Sequence, residues 1–308
     1  MSNRSAANDG FLERRFKLSE HGTDVKTEII AGITTFMTMG YILAVNPMTL
    51  NKTGMDWGGV FTATAVSAII ATLIMAFYAN YPFALAPGMG LNAFFTYTVV
   101  LGMGKSWQFA LTAVFIEGII FIILSFLKVR EAIFDAIPMN LKKAVSVGIG
   151  LFIALIGFTS AGIVVPGDGI IVDLGALTTA GPLLTLIGIV IIGVLLAKNV
   201  KGALLIGIIA TTIIGIPMGV TSLPQGMLVQ LPPSIADVAF KFEWTEIFTW
   251  EMLLVVFTFL FVDVFDTVGT LVGVASKADM LDEEGKLEKA SEALLADAIG
   301  TVAGACLG

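Results

Sequence analysis

The amino-acid sequence predicts an all-α polytopic membrane protein, and three observations carry that prediction. Of the 308 residues, 56% are hydrophobic and only 13% are charged, against about 25% charged in soluble domains. Apolar runs of roughly 17–25 residues, the length that crosses a bilayer as a helix, recur along the chain. Between them, Lys and Arg alternate from rich to poor segments, as the positive-inside rule requires.

The runs place spans at Ile29–Leu50, Gly59–Ala79, Pro82–Gly102, Trp107–Leu127, Ala144–Val165, Pro182–Lys198, Gly202–Val220 and Trp250–Ser276. A ninth begins near Ala293 and continues to Gly308, so about eight and a half spans are expected. The Pro-rich connection Thr221–Glu246 predicts a short interfacial helix at Pro233–Phe240. Met1–Glu28 is polar and of mixed charge, without the apolar core and small-residue cleavage site of a signal peptide. With that segment inside, fourteen of the 17 Lys and Arg fall in inner segments, and only Lys52, Lys105 and Lys241 fall outside. The expected placement is multi-pass in the cytoplasmic (inner) cell membrane, with a cytoplasmic N-terminus and the lipid bilayer as a partner.

The same inventory narrows function. The net charge is −7 and no basic cluster stands out, which argues against a nucleic-acid partner. Cys306 is the one cysteine and His21 the one histidine. A disulfide within the chain, a Cys/His metal site and a histidine proton relay in the membrane are therefore excluded, and no cofactor is expected.

Asp263 and Asp266 stand inside the apolar run Met252–Ala275. An acid at the bilayer centre costs roughly 2.5–3.5 kcal/mol on the insertion scale, and such residues usually mark a substrate or ion pathway. Three residues apart, they share a broad helix face that continues through Thr267 and Thr270. The structural alternative, a capping or internally paired aspartate, is weakened because no Lys or Arg lies inside any span.

The third span is irregular. Tyr81–Asn92 packs Pro82, Pro87, Gly88 and Gly90 into its first half. Proline removes a donor and clashes with the preceding turn, and glycine favours non-helical backbone. An extended stretch followed by a half-helix starting near Met89 or Leu91 is expected. Broken helices at membrane depth are tolerated where they are buried or line a cavity. The functional reading has the backbone amides about Gly90 and Leu91, and the Asn92 amide, meeting a polar ligand. The alternative is close helix packing through small residues.

Other polar residues remain open. Glu117 is a third buried acid, suited either to proton transfer or to joining two helices. Thr34, Thr35 and Thr38 line the cavity or bond their own helix backbone. The spacings Gly148/Gly150 and Gly188/Gly193 are read as helix packing.

Four segments, Gly32–Tyr41 (GITTFMTMGY), Ala86–Phe95 (APGMGLNAFF), Ile137–Phe152 (IPMNLKKAVSVGIGLF) and Phe261–Gly273 (FVDVFDTVGTLVG), resemble the nucleobase–cation symporter-2 family. The likeness is to its AzgA-like branch of hypoxanthine, guanine and adenine permeases, and it covers essentially the whole chain. It implies an inverted seven-span-repeat transporter fold, fourteen spans when complete, with core and gate domains. Residues 1–28 would be the cytoplasmic segment, 29–127 core spans one to four and 128–220 gate spans five to seven. An extracytoplasmic connection, 221–249, would lead to 250–308, the eighth span and the start of the ninth.

The resemblance also implies roles. Asp266 matches the eighth-span acid that holds the purine, and Asn92 matches the third-span amide contact; Asp263 shares the motif with a less settled role. Gly90, Leu91 and Thr38 complete the expected substrate contacts, and Asp266, Asp263 and Glu117 are the proton-coupling candidates. The expected activity is proton-coupled purine nucleobase uptake by alternating access, not catalysis. The residues themselves do not choose among the purines, nor between H⁺ and Na⁺, though the resemblance favours H⁺; a homodimer is left open. Family members are longer and carry a tenth-span glutamate, so the chain is expected to be C-terminally truncated and not to transport alone. Two other classes compete. One is an ion channel or anion exchanger of related fold, which would prefer a basic residue at the site. The other is an intramembrane aspartyl protease, ranked last because its chemistry needs a second aspartate facing the first from another span.

Overall fold

The computed structural model describes residues 10–127, 138–167, 169, 171–223, 231–282 and 287–308. Residues 1–9 of the N-terminal segment, the loop with Lys128 and Arg130, residues 224–230 of the connection and the stretch with Lys286 lie outside the described residues.

Eleven helices are described: α1 (Phe11–Phe16), α2 (Val25–Met39), α3 (Ile42–Leu50), α4 (Trp57–Ile74), α5 (Met89–Ala93), α6 (Trp107–Phe126), α7 (Met139–Ser160), α8 (Ala180–Ala197), α9 (Ala203–Gly215), α10 (Trp250–Lys277) and α11 (Ala290–Leu307). Among the described residues, six helical segments are long and apolar enough to cross a membrane. Their outward faces carry large apolar side chains such as Ile33, Leu73, Val190 and Phe261. Water would penalise such a surface. The chain is a largely helical, multi-pass membrane protein.

Side-chain caps set several starts. Asp24 accepts from Thr27 N at 2.7 Å, Asp56 from Gly59 N at 2.6 Å, Ser106 from Phe109 N at 3.0 Å and Thr249 from Met252 N at 3.2 Å. Each satisfies one of the amides that a helix start leaves without a partner. The first predicted span divides at Gly40–Tyr41. Beyond the break, Leu43 and Ala44 donate only three residues back, and Pro47 has no amide to offer.

The central bundle is α4, α6, α10 and α11, and small residues let it close. A Cβ at Gly118 on α6 would lie 2.8 Å from Val302 on α11, and one at Gly300 on α11 would lie 2.7 Å from Ala71 on α4. α8 and α9 form a separate pair, with Gly188 seated 2.8 Å from Thr211 by the same measure. Among the described residues, nothing lies within 4 Å of a Cβ at Gly148, Gly150 or Gly193. The predicted packing spacings therefore act only through Gly188. α7 packs against α10, and α9 against α2. A short antiparallel hairpin, β1 (Val164–Val165) with β2 (Asp173–Leu174), follows α7.

The predicted helix at Pro233–Phe240 is instead a turn over residues 236–240. Ala239 N closes one turn on Ile235 O at 2.8 Å, and Phe240, at φ 54°, ends it in the left-handed region. The segment's other polar groups bond to neighbouring helices and draw it out into a strap. Thr62 Oγ1 donates to Pro233 O at 2.8 Å, Phe240 N to Cys306 O at 2.9 Å, and Glu243 N to Thr112 Oγ1 at 2.8 Å. Lys105 joins Glu246 at 2.7 Å and Glu251 at 2.5 Å. The strap thus ties the starts of α4, α6 and α10 to the end of α11. Hydrogen bonds to Glu246 and then Glu251 hold the Lys105 ammonium above the usual lysine pKa. That contribution is complete below the ordinary lysine value and is lost only as pH rises through the raised one.

Gly300→Leu should destabilise the detergent-solubilised protein by about 1–3 kcal/mol through overpacking, whereas Gly193→Leu should melt as the wild type does. Equal melting of the two variants in a thermal-shift assay would contradict the packing role.

Candidate functional site

The third span is built as two unlike halves. After α4, one π-helical turn over Met75–Ala79 ends at Asn80, at φ 57°. Tyr81–Gly88 then runs without helix, and α5 continues into π-helical turns over Phe94–Gly102. Extended backbone inside a membrane needs partners. Thr72 on α4 supplies two for Leu85: its hydroxyl accepts from Leu85 N at 3.0 Å and donates to Leu85 O at 3.3 Å. The break also rests on stacked Tyr81 and Phe83, with ring centroids 5.0 Å apart. Lys289 N, just ahead of α11, donates to the Tyr81 hydroxyl at 3.0 Å.

Beside the break lies a cavity of about 580 Å³, within the roughly 300–1,000 Å³ of small-molecule sites. Its wall takes Asp263, Asp266, Thr267 and Thr270 from α10, and Gly88, Leu91 and Asn92 from the broken span. Glu117 of α6 and Asp297 of α11 line it as well. Asp266 sits hard against the backbone where α5 begins, because a Cβ at Gly88 would lie only 2.6 Å from Asp266 Oδ2. Asn92 N bonds to Gly88 O at 3.1 Å, opening α5, and the Asn92 side chain donates to Asn46 Oδ1 of α3.

The expected site residues distribute as follows. Asp266, Asp263, Glu117, Leu91 and Asn92 share the cavity wall. Gly90 is not among the lining residues, and nothing lies within 4 Å of where its Cβ would be; Gly88 holds the close-approach position. Thr38 reaches the wall, but its hydroxyl donates to Thr35 O at 2.7 Å. Glu117 is buried on α6, next to the Gly118 that seats Val302 of α11.

Three residues of the site were not anticipated. Thr267 Oγ1 donates to Asp297 Oδ2 at 2.8 Å and lies 3.5 Å from Asp263 Oδ1. This gives the cavity an aspartate on a second span, which the sequence reading did not identify. The signal was present: Asp297 interrupts the apolar run recognised as the ninth span. Asn46 and its partner Thr64 were also missed, since an isolated Asn in an apolar helix does not announce its neighbours. Among the described residues, no three His, Cys, Asp or Glu side chains gather as a metal ion would need.

A cavity flanked by a broken span, lined by acids and set among membrane helices is the arrangement of a transporter site. The profile of the Permease family matches residues 26–308. A relative from Methanocaldococcus jannaschii, named only as a permease, is 51% identical over 298 residues, covering 97% of this chain and 68% of the relative. The guanine/hypoxanthine permease PbuO of Bacillus subtilis is 44% identical over 306 residues, 95% of this chain and 68% of its own. The adenine permease AdeP of Escherichia coli is 41% identical over 299 residues, 97% of this chain and 67% of its own. The chain spans about two thirds of the length of these relatives. It belongs to the nucleobase–cation symporter-2 family, in its AzgA-like branch. Family membership excludes the protease reading, although Asp297 does bring an aspartate from a second span to the cavity.

Gly88→Ala should cost about 1–3 kcal/mol by forcing Asp266 away, and Gly90→Ala should cost far less. A double-mutant cycle with Asp266→Ala should return most of the Gly88→Ala loss. Additive melting shifts would contradict the contact.

Proposed function

We propose that the protein takes up purine nucleobases across the membrane in exchange for the energy of the proton gradient. The observation that carries this reading is the pairing of Asp266 and Asn92 on one cavity wall at the break in the third span. A carboxylate accepts hydrogen bonds from ring or exocyclic N–H groups, and a primary amide offers both a donor and an acceptor. Together they match the mixed edge of a purine. The substrate class is supported by relatives named as adenine and as guanine/hypoxanthine permeases. Among the described lining residues none is Lys or Arg, which counts against an anion exchanger.

Proton coupling follows from the same acid. A deprotonated Asp266 accepts two purine hydrogens; a protonated one has a hydrogen of its own to place, so proton and base occupancy become linked. Asp263 and Asp297, joined through Thr267, and Glu117 are the other groups able to hold the transferred proton. In the complete protein the fold is two inverted seven-span repeats. Spans within 29–127 and 250–308 belong to the core, and those within 128–220 to the gate. The N-terminus is cytoplasmic, and core rocks against gate to expose the site alternately to each side. Leu91 and Thr38, which reach the wall, remain substrate contacts in this reading, whereas Gly90, off the wall, does not.

Asp266→Asn, in cells expressing the complete gene, should lower proton-driven uptake of radiolabelled hypoxanthine by roughly tenfold or more, the worth of a charge-assisted hydrogen bond. Uptake at the wild-type rate would overturn the role of Asp266.

A further inference from the structure

Asn92 is the last member of a hydrogen-bond chain along the cavity wall that begins in α4. Its Nδ2 donates to Asn46 Oδ1; Asn46 Nδ2 donates to Thr64 Oγ1 at 2.7 Å; and Thr64 Oγ1 donates to Val60 O at 2.7 Å. Asn46 and Thr64 also reach the cavity wall, but at 4% and 2% exposure little of either is open to water, and their polar groups are spent on these links. The chain joins three elements: α4 carries Val60 and Thr64, α3 carries Asn46, and α5 carries Asn92.

The chain has a direction. A carbonyl only accepts, and a hydroxyl has a single proton. With that proton on Val60 O, the Thr64 oxygen is left as an acceptor and must meet the amino end of Asn46. The Asn46 carbonyl is thereby turned toward Asn92 and must meet an amino end in its turn. The carbonyl oxygen of Asn92 is then the end facing away from Asn46. Directing the Thr64 proton at Asn46 instead would reverse both amides and exchange the ends of Asn92. The orientation of two amides thus follows from where one O–H bond points.

We propose that Thr64 and Asn46 are positioning residues that set base specificity, because they determine whether Asn92 offers the ligand its acceptor or its donor end. The proposal rests on the purine reading of the cavity and names what selects among purines. Purines differ in this respect: hypoxanthine carries an exocyclic oxygen beside a ring N–H, whereas adenine carries an exocyclic amine beside an unprotonated ring nitrogen. An amide held in one orientation distinguishes these edges; an amide free to turn serves both.

The test measures adenine and hypoxanthine binding to the complete protein in detergent by calorimetry. Thr64→Val keeps the shape and removes both the proton and the acceptor; Thr64→Ser keeps them. The ratio of the two affinities should move roughly tenfold toward unity in Thr64→Val, as expected when a polar group no longer rejects the mismatched edge. It should stay near the wild-type value in Thr64→Ser. If Thr64→Val does not fold, Asn46→Ala breaks the next link and should move the ratio in the same direction. An unchanged ratio, with both affinities falling together, would reduce Thr64 to a packing role and overturn the proposal. So would an equal shift in Thr64→Ser. Wild-type protein that binds neither base would remove the purine reading itself, and this assignment with it.

Discussion

The Asp266 carboxylate lies against Gly88 closer than any side chain at that position would permit, with 2.6 Å left for a Cβ. The contact needs helix on one side and no helix on the other. α10 must run unbroken to carry the acid to membrane depth, while Pro82, Pro87 and Gly88 must hold the third span extended until α5 begins. An extended stretch in a membrane is viable only if its amides and carbonyls are met, which is the part Thr72 plays for Leu85. The site is therefore a meeting of two helices with a deliberately absent one.

Holding such a contact requires a stiff frame. α11 supplies it by wedging between α4 and α6 on small residues, with Gly300 against Ala71 and Gly118 beneath Val302. The strap then binds the starts of α4, α6 and α10 to the end of α11 through Thr62, Thr112, Lys105 and Cys306 O. Carboxylates brought to the cavity from α6, α10 and α11 are in this way carried on one body. That suits a core which moves against the remaining helices without altering its own site.

What the sequence revealed and what it hid divide along physical lines. Long apolar runs, proline and glycine in the third span, and Asp263 and Asp266 in an apolar helix are all local signals, and the helices and the break stand where those signals lie. The strap was misread because Pro233–Phe240 has a helical composition while its hydrogen bonds go to other helices. Gly90 and Gly88 are equivalent in the sequence; only the approach of Asp266 separates them. Asn46 and Thr64 are ordinary polar residues until the fold sets them in line with Asn92 along the cavity wall. Asp297 was legible and overlooked, since it breaks an apolar run just as Asp266 does.

The proposed function requires a purine seated between Asp266 and Asn92 at the break in the third span. A structure of the complete protein determined with hypoxanthine bound tests it most directly. The base should lie in the cavity, with N–H groups within hydrogen-bond distance of the Asp266 carboxylate and its opposite edge at the Asn92 amide. A base bound elsewhere, with Asp266 still packed on Gly88 and out of its reach, would contradict it.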